Sequence, residues 1–209
     1  EETALPDEDK VKRLLDCFAF SSDSGLTDKS AKITVTEIAK SGDADRLYLR
    51  RPEFAEAGGL TAAEKGTAMH TFMQYADFSA AEADPAAEAE RLAEYGLLSP
   101  DESRSLNIEQ ISVFFASELY ARIKKSDSIR REQKFLIKKY DAALDDNRLM
   151  EYNDNSMLQG IADCMFEEDG EIVLIDYKTD RGAGEKVLAE RYDLQIKLYA
   201  AALGKIFGK

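Results

Sequence analysis

Asp163, Asp176 and Lys178 have the residue types and the spacing to carry out a reaction. Asp169-Gly170 has the signature of a two-residue hairpin turn, flanked by two runs with strand-like alternation, Met157 to Glu168 and Glu171 to Thr179. With that turn at the centre Glu168 faces Glu171, and the same register carried outward sets Asp163 opposite Asp176. Directly opposed residues hold their Cβ atoms about 4.5–5.5 Å apart, where like charges destabilise a sheet unless something positive lies between them. Alternation puts Ile161 and Met165 beside Asp163, and Ile172 and Leu174 beside Asp176, so uncompensated carboxylates there cost still more. A divalent cation resolves the conflict. Hard oxygen ligands suit Mg²⁺ or Mn²⁺, both of which leave positions for water and phosphate. Lys178 falls on the same strand face as Asp176, about 7 Å farther on. Its ammonium is placed to orient or deprotonate a water, or to neutralise charge on a phosphate, and with two metal-binding carboxylates it equips a site for phosphodiester hydrolysis. The same spacing also fits an ordinary edge-strand ion pair of Asp176 with Lys178 that Asp163 opposes by chance.

Positioning these groups takes more strand and a flanking helix. Arg130 to Tyr140 reads as a further strand, and Lys186 to Phe207 as a helix with Leu194, Leu198, Ala201, Ala202 and Ile206 on neighbouring turns. Upstream the chain reads as helical. Val11 to Phe20 has helical apolar spacing, and Thr34-Val-Thr-Glu37 is a capping box that starts a short helix, both expected at the periphery. Thr61-Ala-Ala-Glu64 is a second capping box, opening a helix through about Asp77 that carries His70, the only histidine. Ala80 to Tyr95 is expected as a solvated helix, and Ser99-Pro100-Asp101-Glu102 starts another. Ile108 to Lys124 bears an apolar stripe of Ile111, Phe114, Phe115, Leu119 and Ile123. Helices, a small sheet and a closing helix predict an α/β or α+β architecture. Without repeats or a Gly/Ser linker, residues 1–209 are expected to form one domain, with 1–60 an N-terminal helical part and 61–209 the catalytic core.

Composition narrows the classes. At 44% hydrophobic and 9% aromatic, 209 residues are enough for a packed core, and the chain has no apolar run near the ~18 residues a bilayer requires. Lys plus Arg number 28 against 41 Asp plus Glu, a net charge of −13 that argues against unspecific attraction to nucleic acid. The distribution is uneven: Arg122 to Arg148 holds nine bases and five acids, whereas Leu149 to Tyr177 holds eight acids and no base. Two cysteines, Cys17 and Cys164, cannot supply a four-cysteine zinc site or an iron-sulfur cluster, and they fit a reducing intracellular compartment. Cys164 is expected opposite Asp163, on a face shared with Ala162 and Phe166, as an inert core thiol. The chain begins Glu1-Glu2-Thr3, which suggests a piece of a longer protein, and it contains no GxxxxGK[ST] phosphate loop.

Leu158-Gln-Gly-Ile-Ala-Asp163, Ile175-Asp-Tyr-Lys-Thr-Asp180 and Tyr192-Asp-Leu-Gln195-Ile-Lys-Leu-Tyr199 together resemble the RecB-like branch of the restriction-endonuclease-like nucleases. Within it they look most like the C-terminal nuclease domain of AddA-type helicase-nucleases. Gly66-Thr-Ala-Met-His70-Thr-Phe is similar to that group's upstream histidine motif, and Lys32 to Glu37 and Arg131 to Phe135 match in the same order. The resemblance covers roughly residues 32 to 207. It implies a restriction-endonuclease-like core, a small mixed sheet with a central antiparallel hairpin flanked by helices. It also implies His70, Asp163, Asp176 and the Tyr177 carbonyl as metal ligands, Lys178 as the catalytic lysine, and Gln195 and Tyr199 as a Q-x-x-x-Y pair meeting the substrate. Taken alone, His70 is more often a partly buried helix residue than a ligand, while Tyr199 fits core packing and Gln195 a surface position equally well. Glu132 stands beside the hairpin, in place either to orient a water or to pair with Arg130 or Lys134.

The same resemblance implies Mg²⁺, with Mn²⁺ as the alternative, and no iron-sulfur cluster, since clustered relatives need four cysteines. It implies DNA as substrate, a helicase part in the same polypeptide, an AddB-type partner subunit, no membrane and a bacterial cytoplasmic location. The expected activity is that of a DNA exonuclease processing double-strand breaks for recombinational repair. A non-catalytic domain that guides DNA or holds a partner subunit is the alternative, and a free-standing structure-specific nuclease is a third.

Overall fold

A computed structural model of the chain describes residues 31–40, 59–179 and 184–209, so the Val11 to Phe20 stretch and Cys17 lie outside the described residues. Its sheet comprises β1 (Lys32–Thr34), β2 (Ile129–Lys138), β3 (Met157–Glu168) and β4 (Glu171–Ile175). Asp169 at φ 52° and Gly170 at φ 84° form the turn between β3 and β4, the two positive angles a type I′ hairpin requires. The register from Glu168–Glu171 to Cys164–Ile175 is the one the turn predicts. The pairing ends there, although strand was expected to Thr179: the Tyr177 N–H donates to Asp163 Oδ2 at 2.7 Å instead of to a backbone carbonyl. Asp163 and Asp176 therefore lie one step beyond the last ladder pair.

β2 pairs antiparallel with β3 along one edge, from Phe166 to Met157. The other edge is shared: β1 runs parallel to Met157–Gln159 and β4 antiparallel to Cys164–Glu168. Gly160 to Asp163 are left unpaired between them, and this gap in the sheet is where the candidate site opens. The three residues of β1 were not anticipated in a part read as helical.

One side of the sheet packs on the last helix, α9 (Glu185–Phe207), through Phe135, Leu158, Met165, Leu194, Leu198 and Leu203. Helix α1 (Val35–Lys40) starts at the predicted Thr34/Glu37 capping box. It is not peripheral, because Val35 and Ile38 are fully buried in the same core. The opposite side carries a helical layer: α2 (Ala62–Tyr75), α3 (Phe78–Ala83), α4 (Pro85–Glu94), α5 (Pro100–Ser105), α6 (Ile108–Phe115) and α7 (Glu118–Ile123). A short α8 (Lys139–Ala142) follows β2.

The stretch from Ala80 to Tyr95 is two helices, because Asp84 ends α3 and caps α4 while Pro85 occupies the first turn of α4. Nor is it merely solvated: Ala81, Ala89 and Leu92 are buried. Ile108 to Lys124 is likewise split at Ala116-Ser117, where the Ser117 hydroxyl caps α7. Phe72, Phe115, Tyr120, Cys164, Phe166 and Ile175 join this layer to the sheet.

Strict alternation along β3 fails at the site. Ala162 belongs to the α9-side core and Cys164 to the helical-layer core, although two residues on a regular strand share a face. The cause lies opposite, where Glu132 has φ 50° and the β2–β3 ladder skips the Glu132–Asp163 pair. Both strands turn over at that point. Arg131, next to it, donates from Nη1 to the carbonyls of Met73 (3.2 Å) and Ala76 (2.6 Å), fastening the end of α2 to the sheet.

Glu88, 2% exposed, ties the helical layer together. It accepts the Asp77 N–H at 2.6 Å and two bonds from Arg91 at 2.6 Å each, and the Arg91 guanidinium holds its carboxyl below the usual glutamate range. Because the folded pKa is depressed, this stabilisation is present above the unfolded value and is lost as pH falls through the folded one. Glu88→Gln is expected to cost about 1–3 kcal/mol at neutral pH. Thermal melts of both proteins should show the difference shrinking as acid protonates Glu88 in the wild type. A difference that does not change with pH would refute the pairing.

Candidate active site

Five elements converge on the gap in the sheet. β3 supplies Asp163, the segment leaving β4 supplies Asp176-Tyr177-Lys178, α2 supplies His70, β2 supplies Glu132 and α9 supplies Gln195 and Tyr199. The cleft between them has a volume of about 740 Å³, and Thr34, Lys134 and Tyr192 stand on its walls.

Tyr177 sets the direction of its neighbours. Its ring packs half-buried against the helical-layer core, edge-on to His70 (centroids 6.3 Å apart) and to Phe114 (5.9 Å). Its hydroxyl is buried beside the Cys164 thiol, and burial pushes the phenol pKa upward. With that ring anchored and its N–H bound to Asp163, Asp176 and Lys178 on either side line the cleft. Cys164, buried beside Tyr177, has its thiol pKa pushed up by burial; it is the core thiol expected, on the face of Phe166 but not on that of Ala162.

Asp163 and Asp176 have different partners. Asp163 Oδ1 lies 3.5 Å from His70 Nδ1, and this contact raises the imidazole pKa above its ordinary value. Asp176 is ion-paired with Lys178 at 2.5 Å and accepts from Gln195 Nε2 at 3.1 Å. Burial pushes the Asp176 carboxyl up, and Lys178 opposes that shift. Lys178 Nζ also lies 4.5 Å from the centroid of Tyr192.

His70, Glu132 and Asp163 offer ligand atoms that all lie within 4.8 Å of one another, a nitrogen and two carboxylate oxygens suited to a hard divalent cation. Burial and the Asp163 charge push the Glu132 carboxyl up, as expected where two acids converge. Among the described residues neither Arg130 nor Lys134 forms an ion pair with Glu132, so the site contact prevails over the pairings weighed from sequence. Asp176 is outside this set of three. Its oxygens are engaged by Lys178 and Gln195.

Gln195 and Tyr199 share a helix face, as their i, i+4 spacing requires, and that face is buried against the sheet while lining the cleft. Gln195 is 7% exposed and bonded to Asp176, with its Nε2 3.1 Å from the Tyr199 hydroxyl. Tyr199 is buried edge-on to Phe135, and burial pushes its pKa up to about 12. A Cβ at Gly160 would run into the rings of Phe135 and Tyr199, so this glycine lets α9 approach the strand. Sequence reasoning missed Tyr192, although it lies three residues before Gln195 and its position on the same face was available. It also missed Thr34 and Lys134, which only the sheet order brings to the cleft.

A mixed sheet flanked by helices, with an acid-x-lysine segment leaving the hairpin toward a second acid, is the arrangement of one nuclease class. Residues 44–209 match the PD-(D/E)XK nuclease superfamily, and the chain belongs to it. Asp176-Tyr177-Lys178 spells the (D/E)XK of that name. Among curated relatives, the A subunit of the ATP-dependent helicase/nuclease of Listeria welshimeri is 35% identical over 211 residues, covering 90% of this chain and 17% of the relative. The protein of the same name from Thermoanaerobacter sp. strain X514 is 37% identical over 199 residues, 86% of this chain and 16% of that one. That from Ruminiclostridium cellulolyticum is 39% identical over 191 residues, 83% and 15% respectively. The chain thus spans about a sixth of the length of these relatives, whose name includes a helicase activity. Among the described residues no helix is long and apolar enough to cross a membrane.

Proposed function

We propose that the chain is the DNA-cleaving domain of an AddA-type helicase-nuclease, a metal-dependent exonuclease that processes double-strand breaks in the bacterial cytoplasm. The observation that supports this best is that His70 and Asp163, clustered with Glu132, share one cleft with the Asp176–Lys178 pair. The helicase part would belong to the same polypeptide and its partner would be of the AddB type, in keeping with relatives about six times longer.

His70, Asp163 and Glu132 would hold Mg²⁺ or Mn²⁺, with Asp176 and the Tyr177 carbonyl as the further ligands that sequence and resemblance suggest. The ion would supply Lewis acidity toward a phosphoryl oxygen and acidify a water. The protein's own groups do the rest. Lys178, held by its ion pair with Asp176, is placed to orient a nucleophile and offset charge on the phosphate. Gln195 holds Asp176 and is itself bonded to the Tyr199 hydroxyl, and both line the cleft, where the Q-x-x-x-Y resemblance would have them meet the substrate. The Tyr177 N–H holds Asp163.

Incubating the chain with end-labelled single- and double-stranded DNA in Mg²⁺, Mn²⁺ or EDTA tests this reading. Cleavage is expected with either metal and none in EDTA, with mononucleotides or short oligonucleotides released from an end. Absence of cleavage under conditions where calorimetry shows metal bound would overturn the catalytic assignment and favour a DNA-guiding domain.

A further inference from the structure

The helical layer covers only part of its side of the sheet. Beyond the turnover at Glu132 and Asp163, the outward residues of three strands are exposed or half-buried while their neighbours Ile33, Phe135, Ile137 and Leu158 are buried on the α9 side. Register arranges this open face in rows. Lys32, Met157 and Lys138 form the outermost row, Thr34, Gln159 and Leu136 the next, and Ile161 beside Lys134 the row closest to the site. Three of these eight positions are lysines and none is an acid, in a chain whose net charge is −13. Lys134 and Lys138 are exposed and make no ion pair among the described residues. Between them Leu136 is 54% exposed, and Ile161 across the ladder is 42% exposed.

The face runs directly into the cleft. Thr34, Lys134, Gln159 and Ile161 belong to both, and the next step along β3 and β2 is the His70, Glu132, Asp163 cluster. Basic side chains about 13 Å apart along a strand suit phosphates of one backbone with a nucleotide between them, and exposed apolar side chains between them suit the faces of bases. A duplex hides those faces within its stack, whereas a single strand presents them. Taking the nuclease assignment above as its premise, we propose that this open face is the track on which a single DNA strand lies as it enters the cleft, with Lys134 and Lys138 on phosphates and Leu136 and Ile161 against bases.

The test is binding of a labelled 20-nucleotide single strand and of a blunt duplex of the same length, by fluorescence anisotropy in Ca²⁺ across a salt series, with cleavage in Mg²⁺ measured alongside. The Lys134→Ala/Lys138→Ala double variant should bind the single strand at least tenfold more weakly. Its log–log salt slope should be shallower by about 1.4, the contribution of two lost phosphate contacts. Leu136→Ala should weaken binding several-fold with the slope unchanged, and the wild type should prefer the single strand. All three positions are exposed, so melting temperatures should stay at the wild-type value. Wild-type cleavage together with unchanged affinity and slope in the double variant would overturn the track and leave the nuclease assignment standing. Equal or tighter binding of the duplex would overturn it as well. A wild type that neither binds nor cleaves DNA would overturn both.

Discussion

Asp163→Asn is expected to lower DNA cleavage by roughly a thousandfold, the scale on which enzymes lose a group acting at the reacting centre. Asp163 touches more of the site than any neighbour: His70 at 3.5 Å, the Tyr177 N–H at 2.7 Å and the shared cluster with Glu132. The amide keeps an acceptor for the Tyr177 N–H, so the segment that carries Asp176 and Lys178 stays anchored and the fold is retained. What is lost is one negative charge in a group of three candidate ligands, and Mn²⁺ affinity by calorimetry should fall at least tenfold. The same charge raises both the His70 and the Glu132 pKa, so both should titrate closer to their ordinary values in the variant. Asp163→Ala should behave like Asp163→Asn in cleavage but be less stable by about 1–2 kcal/mol, since it strands the Tyr177 N–H. An Asp163→Asn protein that keeps a tenth or more of wild-type activity would remove Asp163 from the site.

The hairpin that brings the acids together was legible because its turn is encoded locally. Asp169-Gly170 accepts the two positive φ angles, and every residue from Cys164 to Ile175 then falls into register without further information. The turnover at Glu132 was not legible for the opposite reason: a glutamate gives no sign of φ 50°, and only the geometry of two cores on opposite sides of the sheet demands it. That one angle decides that Glu132 joins His70 and Asp163 instead of pairing with a neighbouring base.

β1 escaped notice because three residues are too few to show a period, and it is made a strand by Met157 to Gln159 alongside it. For Gln195 and Tyr199 the spacing correctly put them on one face. It could not say whether that face meets solvent or core, which is settled by Phe135 and by the missing side chain at Gly160. Pro85 and Ser117, by contrast, are local stop signals that a closer reading of their stretches would have used to divide both long helices.

Replacing Lys178 separates charge from proton transfer. Its Nζ is ion-paired with Asp176 at 2.5 Å and rests over the Tyr192 ring, so its charge is held in place at the cleft. An ammonium acts by electrostatics: it orients a nucleophile and offsets charge on a phosphate, and it takes no proton from water. Lys178→Ala should therefore lower kcat by roughly a hundredfold to a thousandfold. Lys178→Arg, which keeps a permanent charge and cannot act as a base, should retain activity within about tenfold of wild type. Metal affinity should not fall in Lys178→Ala, because the Lys178 ammonium competes with a cation for Asp176; a fall would show that Lys178 orders the ligands. Single-turnover cleavage at saturating DNA across the neutral pH range reads the difference. An arginine variant as inactive as the alanine one would overturn the purely electrostatic role of Lys178.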